Sequence, residues 1–258
     1  MTFIDAHCHL ADPRFEGKLD QVMAHARQLK IQHFIQGGVG PDDWQRQMQL
    51  ADDSWLFSFG LHPWFVAKHS DAVCDDALSR LEPLLKHAVA LGECGLDHGP
   101  KLAKDSYTRQ SSCLERQLQM AKANDKPLVL HVVHAHGEVL KRLRANRNQW
   151  RGIVHGFAGS YEVARAYMDL GLTISVGGAL TRQGYHKLKN AVSRIPKTHL
   201  VVESDAPDMA PTDWGHPINE PASLWLVAKA VAYFQQTKPR DVLIQSRQNL
   251  CRVFNLEL

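Results

Sequence analysis

Phe3-Ile4-Asp5-Ala6-His7-Cys8-His9 is the stretch on which the reading of this chain turns. An apolar pair opens it and two imidazoles, two residues apart, close it. On an extended segment residues i and i+2 share a face. His7 and His9 therefore point the same way, and Cys8 points the other way as a packing residue. Downstream, the same event recurs: an apolar run stops and a metal-ligating side chain follows. It happens at Glu93 in Gly-Glu-Cys-Gly-Leu-Asp, at His131, at His155, and at Asp205 in Glu-Ser-Asp-Ala-Pro.

The apolar runs that precede these residues belong to a longer series. Short β-branched runs at 3–4, 31–36, 55–61, 88–91, 128–130, 152–154, 172–176 and 200–202 read as buried parallel strands. Helical spacing fills the intervals. Leu19, Val22, Met23, Ala26 and Leu29 mark one helix; Leu114, Leu118 and Ala121 another; Val163, Ala166, Tyr167 and Leu170 a third. Pro41-Asp42-Asp43 has the proline and acidic residues of a helix start. Two further helical patterns, broken at Thr237-Lys238-Pro239, occupy 224–254. Alternation of strand and helix implies a parallel sheet with covering helices. Eight such units in 258 residues favour a closed (β/α)8 TIM barrel, one domain spanning 1–258, over an open doubly wound sheet.

On a barrel, chemistry sits at the carboxyl ends of the strands. His7 and His9 close strand 1, Glu93 strand 4, His131 strand 5, His155 strand 6 and Asp205 strand 8. Six ligand-type residues exceed the three or four of one catalytic zinc, so the expectation is two divalent ions sharing a bridging carboxylate. Imidazole with carboxylate suits zinc first, with manganese, magnesium, cobalt or nickel as alternatives, and calcium least. A histidine at one strand end is usually incidental; the joint pattern carries the weight. His62, in Gly-Leu-His-Pro-Trp, and His134, His136 and His216 fall at the barrel mouth as candidate substrate contacts. His25, His33, His69, His87, His98, His186 and His199 read as solvated.

Composition excludes other classes. The 22% of charged residues and 44% of apolar ones suit a soluble domain, and no stretch approaches the roughly 18 apolar residues of a membrane span. The first residues lack the basic and apolar regions of a secretory signal. Five cysteines, odd in number and unpaired in spacing, suit reduced thiols in the cytoplasm. A net charge of +3 is too small to announce a nucleic-acid binder. No partner chain is indicated, and a monomer is expected.

The motifs resemble those of TatD-like metal-dependent hydrolases, in the amidohydrolase superfamily. Phe-Ile-Asp-Ala-His-Cys-His-Leu, Gly-Leu-His-Pro, Gly-Glu-Cys-Gly-Leu-Asp, Val-His-Gly-Phe-Ala-Gly-Ser, Glu-Ser-Asp-Ala-Pro, Gly-His-Pro-Ile-Asn-Glu-Pro and Asn-Leu-Cys-Arg-Val-Phe follow in unbroken family order from residue 2 to about residue 254. Val-Gly-Gly-Ala-Leu-Thr and Asp-Ala-Pro-Asp-Met are similar to the YjjV-type branch. The resemblance implies one metal held by His7, His9, Glu93 and Asp205, and a second by Glu93, His131 and His155. Glu93 would bridge, where many relatives use a carboxylated lysine. It also implies cleavage of phosphodiester bonds in DNA by a metal-activated water, with 3′–5′ exonuclease action as one form. Asp205 would then accept the proton of the water and return it to the leaving oxygen. Asp5 and Glu203, each two residues before a ligand, are candidates for orienting it.

Two departures bear on substrate. The family often has His-Ser-Arg after strand 5; this chain has His131-Val132-Val133. Asp97 is followed by His98-Gly99-Pro100 in place of aromatic or basic residues. Support for DNA from the residues themselves is confined to Arg182, as a phosphate clamp, and Tyr185, as a stacking ring, after strand 7. The basic run Lys141-Arg142-Leu143-Arg144, with Arg147 and Arg151, reads as the solvated side of a helix. The alternatives are hydrolysis of a small phosphoester, amide or lactone at the same centre, and a non-enzymatic metal carrier. A polymerase-and-histidinol-phosphatase barrel also opens with His-X-His, but the later motif order disfavours it.

Overall fold

A computed structural model describes residues 1–146 and 150–258. Among the described residues eight parallel strands run in the order of the sequence: β1 (Phe3–Cys8), β2 (Ile31–Gly37), β3 (Trp55–Phe59), β4 (Ala90–Asp97), β5 (Leu128–Val133), β6 (Gly152–Val154), β7 (Thr173–Val176) and β8 (Leu200–Val202). The α-helices are α1 (Leu19–Gln28), α2 (Pro41–Leu50), α3 (Pro63–Lys68), α4 (Asp71–Leu81), α5 (Tyr107–Ala123), α6 (His136–Ala145), α7 (Tyr161–Met168), α8 (His186–Arg194), α9 (Leu224–Phe234) and α10 (Pro239–Phe254). Each strand is paired only with its sequence neighbours, so the connections never cross and the sheet curls into a (β/α)8 barrel.

The seam between the first and last strands is held where the ligand-type residues lie. The Asp205 N–H donates to the His7 carbonyl at 3.0 Å, and the His9 N–H donates to the Ala206 carbonyl at 2.7 Å. Closure of the barrel and approach of Asp205 to the His-X-His segment are thus one event.

Two apolar layers build the core. The larger lies between strands and helices, where Phe34, Leu91, Leu130 and Val176 meet Leu114, Leu118, Tyr167 and Val227. The smaller fills the barrel interior. Ile4, Ala90, Val129, Ile153 and Val201, all at the first or second position of their strands, pack with Leu250, Val253 and Phe254 of α10. The C-terminal helix therefore plugs the amino end of the barrel, and only the carboxyl end is left open to chemistry.

Strands β1, β4 and β5 extend beyond their apolar runs, so His7, Glu93 and His131 sit within strands and not just past them. In β4 the pairing with β5 steps from Gly92↔Val129 to Cys94↔Leu130, leaving Glu93 as the extra residue of a bulge. Cys8 packs as its parity requires: it is fully buried, with Sγ donating to the Ile35 carbonyl at 3.8 Å. His25, His33, His69, His98 and His199 depart from the solvated reading. All five are half-buried, and the His98 ring stacks on Tyr107 at 3.9 Å. Arg142 is paired with Glu138 and Arg151 with Asp125, as befits surface charges, while Arg147 lies outside the described residues. No helix among the described residues is long and apolar enough to cross a membrane.

Candidate metal centre

Glu93 stands at the middle of the carboxyl end, buried, with its two oxygens turned to different neighbours. Oε2 lies 3.1 Å from His7 Nε2 and 3.4 Å from His9 Nε2. Oε1 lies 2.6 Å from His155 Nε2 and 2.8 Å from His131 Nδ1. Asp205 Oδ1 closes the first set, 3.8 Å from His7 Nε2 and 3.7 Å from His9 Nε2. The structure brings together all six residues expected from the sequence and divides them at the expected carboxylate.

Room for the first set comes from Gly37, the last residue of β2. A Cβ there would lie 2.7 Å from His9 Cε1 and closer still to His7 Cε1, so a side chain at this position would displace both rings. Asp205 takes a left-handed backbone, φ 55°, which a short polar side chain tolerates better than a branched one. The turn is braced by buried Asp5, whose Oδ1 accepts the Ser204 N–H at 2.9 Å and whose Oδ2 accepts the Ser204 hydroxyl at 2.5 Å. Asp5 also accepts the His7 N–H at 3.3 Å, so it orders the backbone of His7 and of Ser204, the residue before Asp205, and no ring.

Outer acceptors choose the imidazole tautomers. The Gly37 carbonyl is 3.1 Å from His9 Nδ1, so that nitrogen carries the proton and Nε2 presents a lone pair. Asp97 Oδ2, 3.2 Å from His131 Nε2, leaves His131 Nδ1 as the free donor atom. Glu203 Oε1 lies 3.7 Å from His155 Nδ1, too far for a hydrogen bond, but its charge favours the proton on that nitrogen and a lone pair on Nε2. Glu203 is itself pinned by the Gly156 N–H at 2.6 Å and by the Ser175 hydroxyl. Asp97 escaped the sequence reading, although alternation along β4 puts residues 93, 95 and 97 on one face. That parity was the available signal.

His62 lies deeper than a substrate contact at the mouth would. Its Nε2 is 3.2 Å from Glu93 Oε1 and 3.3 Å from His131 Nδ1. Its Nδ1 accepts the Trp64 N–H at 2.9 Å, capping α3. The proton of the neutral ring therefore sits on Nε2 and donates toward the Glu93 carboxylate, so His62 supports that carboxylate instead of adding a lone pair.

Electrostatics follow from this crowding. Burial alone would raise Glu93, but His155, His62 and His7 around it hold the carboxyl well below its ordinary range. Burial pushes His7 and His62 down to about 4, keeping both neutral. Burial works against the charge on His155 as well, yet Glu93 and Glu203 outweigh it and raise the ring. Asp205 is lifted to about 7, chiefly by burial. His7 Nε2 and His9 Nε2 are only 3.2 Å apart, and the buried His7 Nδ1 has no hydrogen-bond partner among the described residues. Among the described residues Glu93 Oε2 receives no hydrogen bond. Buried carboxylate and imidazole donors pointed at one another in this way fit divalent cations. Three groupings have donor atoms within 4.8 Å of one another: His7-Glu93-His155, His7-His9-Asp205 and His62-Glu93-His131.

The remaining expected contacts lie farther out. His134, φ 53°, is exposed just past β5. Arg182 is half-buried and donates to the Ala210 carbonyl at 3.3 Å. Tyr185, also half-buried, packs against the larger apolar layer at the start of α8. His136 hydrogen-bonds the Tyr167 hydroxyl at 3.1 Å, and His216 leans on Trp214.

Residues 4–255 match the family described as TatD related DNase. An uncharacterized metal-dependent hydrolase of Escherichia coli K12, YjjV, is 31% identical over 96% of this chain and 95% of its own. Its crystal structure superposes with a TM-score of 0.87, covering 98% of each chain. A protein of Edwardsiella piscicida described as 3′-5′ ssDNA/RNA exonuclease TatD is 29% identical over 98% of this chain and 99% of its own.

Proposed function

We propose that this chain, which belongs to the TatD family of metal-dependent hydrolases, cleaves phosphodiester bonds in DNA at a binuclear metal centre. The observation that carries the reading is the division of Glu93, Oε2 toward His7 and His9 and Oε1 toward His131 and His155. One ion would be held by His7, His9, Glu93 and Asp205, the other by Glu93, His131 and His155. When bound, such a pair supplies Lewis acidity toward phosphoryl oxygens and brings the pKa of water to about 7.

The chain's own groups do the rest. Asp205, whose Oδ1 closes the first set, is the group assigned to take a proton from water and return it to the leaving oxygen. His62 stabilises the Glu93 carboxylate by donating to it. Glu203 and Asp97 keep the rings of His155 and His131 in the tautomers that leave a lone pair inward. Similarity to the Edwardsiella piscicida exonuclease supports a single-stranded nucleic acid as substrate, with 3′–5′ exonuclease action as the form. Val133, where a cation often stands, favours a second reading: hydrolysis of a small phosphoester, amide or lactone.

The test is cleavage of a short labelled single strand by metal-loaded protein, followed across a salt series. Cleavage that chelator abolishes, and whose kcat/KM falls steeply with salt, is expected when several phosphates are held. Turnover confined to small esters, or a flat salt response, contradicts the nuclease reading.

A further inference from the structure

We propose that Trp64 and Lys101 form a nucleotide subsite beside the metal centre, the indole stacking on a base and the ammonium meeting a neighbouring phosphate. The proposal rests on the nuclease reading and names where it binds its substrate. Trp64 stands in the first turn of α3, its backbone fixed by the His62 cap. Its indole N–H donates to Asp97 Oδ2 at 2.5 Å, and the same oxygen meets His131 Nε2 at 3.2 Å. The ring is thus two hydrogen bonds from a residue of the centre. Yet it is 39% exposed, an unusual amount for so large an apolar side chain held by its polar edge. A tryptophan anchored at the N–H with ring surface in water is built as a platform, and every base has a π-face to lay on it.

Lys101 supplies the charge. Its Nζ lies 5.9 Å from the Trp64 ring centroid, near the limit of about 6 Å for a cation–π contact, so it is held loosely and can swing to a phosphate. The turn leading to it covers the strand end where the family's arginine is absent. The His98 N–H donates to the Val133 carbonyl at 2.9 Å, and a Cβ on Gly99 would lie 3.4 Å from Val133 Cγ1. The turn that replaces the usual aromatic or basic residues thereby carries a cation to the neighbourhood of position 133. Arg182 and Tyr185 are less available for these tasks, the one engaged with a carbonyl and the other packed on the core.

Trp64→Phe and Trp64→Leu separate stacking from support of Asp97, because both lose the N–H and only phenylalanine keeps a ring. Metal-loaded full-length variants are assayed on a short single strand and on methyl p-nitrophenyl phosphate. The expected KM for the strand is about fivefold or more higher for leucine than for phenylalanine, with kcat alike. On the small diester the two variants should agree with each other within about twofold. Lys101→Met should reduce the slope of log kcat/KM against log salt by about 0.7, one phosphate contact on a single strand. Equal strand KM values for the two Trp64 variants overturn the stacking role, and an unchanged slope overturns that of Lys101. Wild-type protein active on the small diester and inactive on the strand overturns the nuclease reading and the subsite together. Wild-type cleavage of the strand with coincident Phe and Leu variants overturns stacking alone.

Discussion

Glu93 shows how much one side chain is asked to do at the carboxyl end of the barrel. It is buried among five imidazoles, and His155, His62, His7 and His131 among them hold it ionised against the cost of desolvation. The same economy applies to the groups behind the ligands. Glu203 touches His155 only through Nδ1, at 3.7 Å, yet it is fully buried and held by Gly156 and Ser175. Glu203→Gln keeps the shape and removes the charge that orients the ring. The expected result is a 10- to 100-fold weaker affinity, about the range for such outer partners, in the half of the centre that contains His155. Titration of the metal-free variant with zinc or manganese reads it, and an affinity equal to wild type would show that His155 is oriented by its packing alone. Cys8 was legible at this scale from parity. Asp97 obeyed the same parity and was missed, because it stands four residues beyond the expected ligand and a carboxylate at a turn has an ordinary explanation.

At the scale of elements, the eight apolar runs and their order were legible, because strands buried on both faces must be apolar along their lower halves. Their upper ends were not. β4 runs to Asp97, six residues past Leu91, since the residues facing the mouth are chosen for chemistry and an apolar pattern stops at the first of them. The bulge at Glu93 is a matter of register between two strands, which no single run of sequence displays. The role of α10 was also hidden: its helical spacing was plain, but not that Leu250, Val253 and Phe254 fill the amino end of the barrel. Phe254 is 4% exposed in that plug. Phe254→Ala should cost about 3–5 kcal/mol, and at about 2–4 °C per kcal/mol for chains near this size the melting temperature should drop accordingly. Scanning calorimetry of metal-free protein measures it. A shift within about 2 °C would mean that α10 packs on the barrel without supporting it.

For the whole molecule, folding and metal binding oppose one another through protons. In the metal-free protein burial lifts Asp205 to about 7 and Asp5 to about 8, and the raised His155 and His131 owe their shifts to neighbouring carboxylates that overcome burial. All four bind more protons folded than unfolded above pH 6.5, so stability should fall as pH rises from about 6.5 to 8.5. His7 and His62, depressed to about 4, contribute in the opposite sense only below 6.5. Cations replace those protons, so metal-loaded protein should be flat or rising over the same window, and the gap between loaded and metal-free melting curves should widen with pH. A gap that narrows with pH would contradict this charge arrangement. The central claim is that one fold assembles two cation sites sharing Glu93, and calorimetric titration of metal-free protein with zinc or manganese tests it most directly. The account predicts two ions per chain in wild type, with both sites weakened in Glu93→Gln. A single ion per chain, or a Glu93→Gln protein that still takes two ions with wild-type affinity, would contradict it.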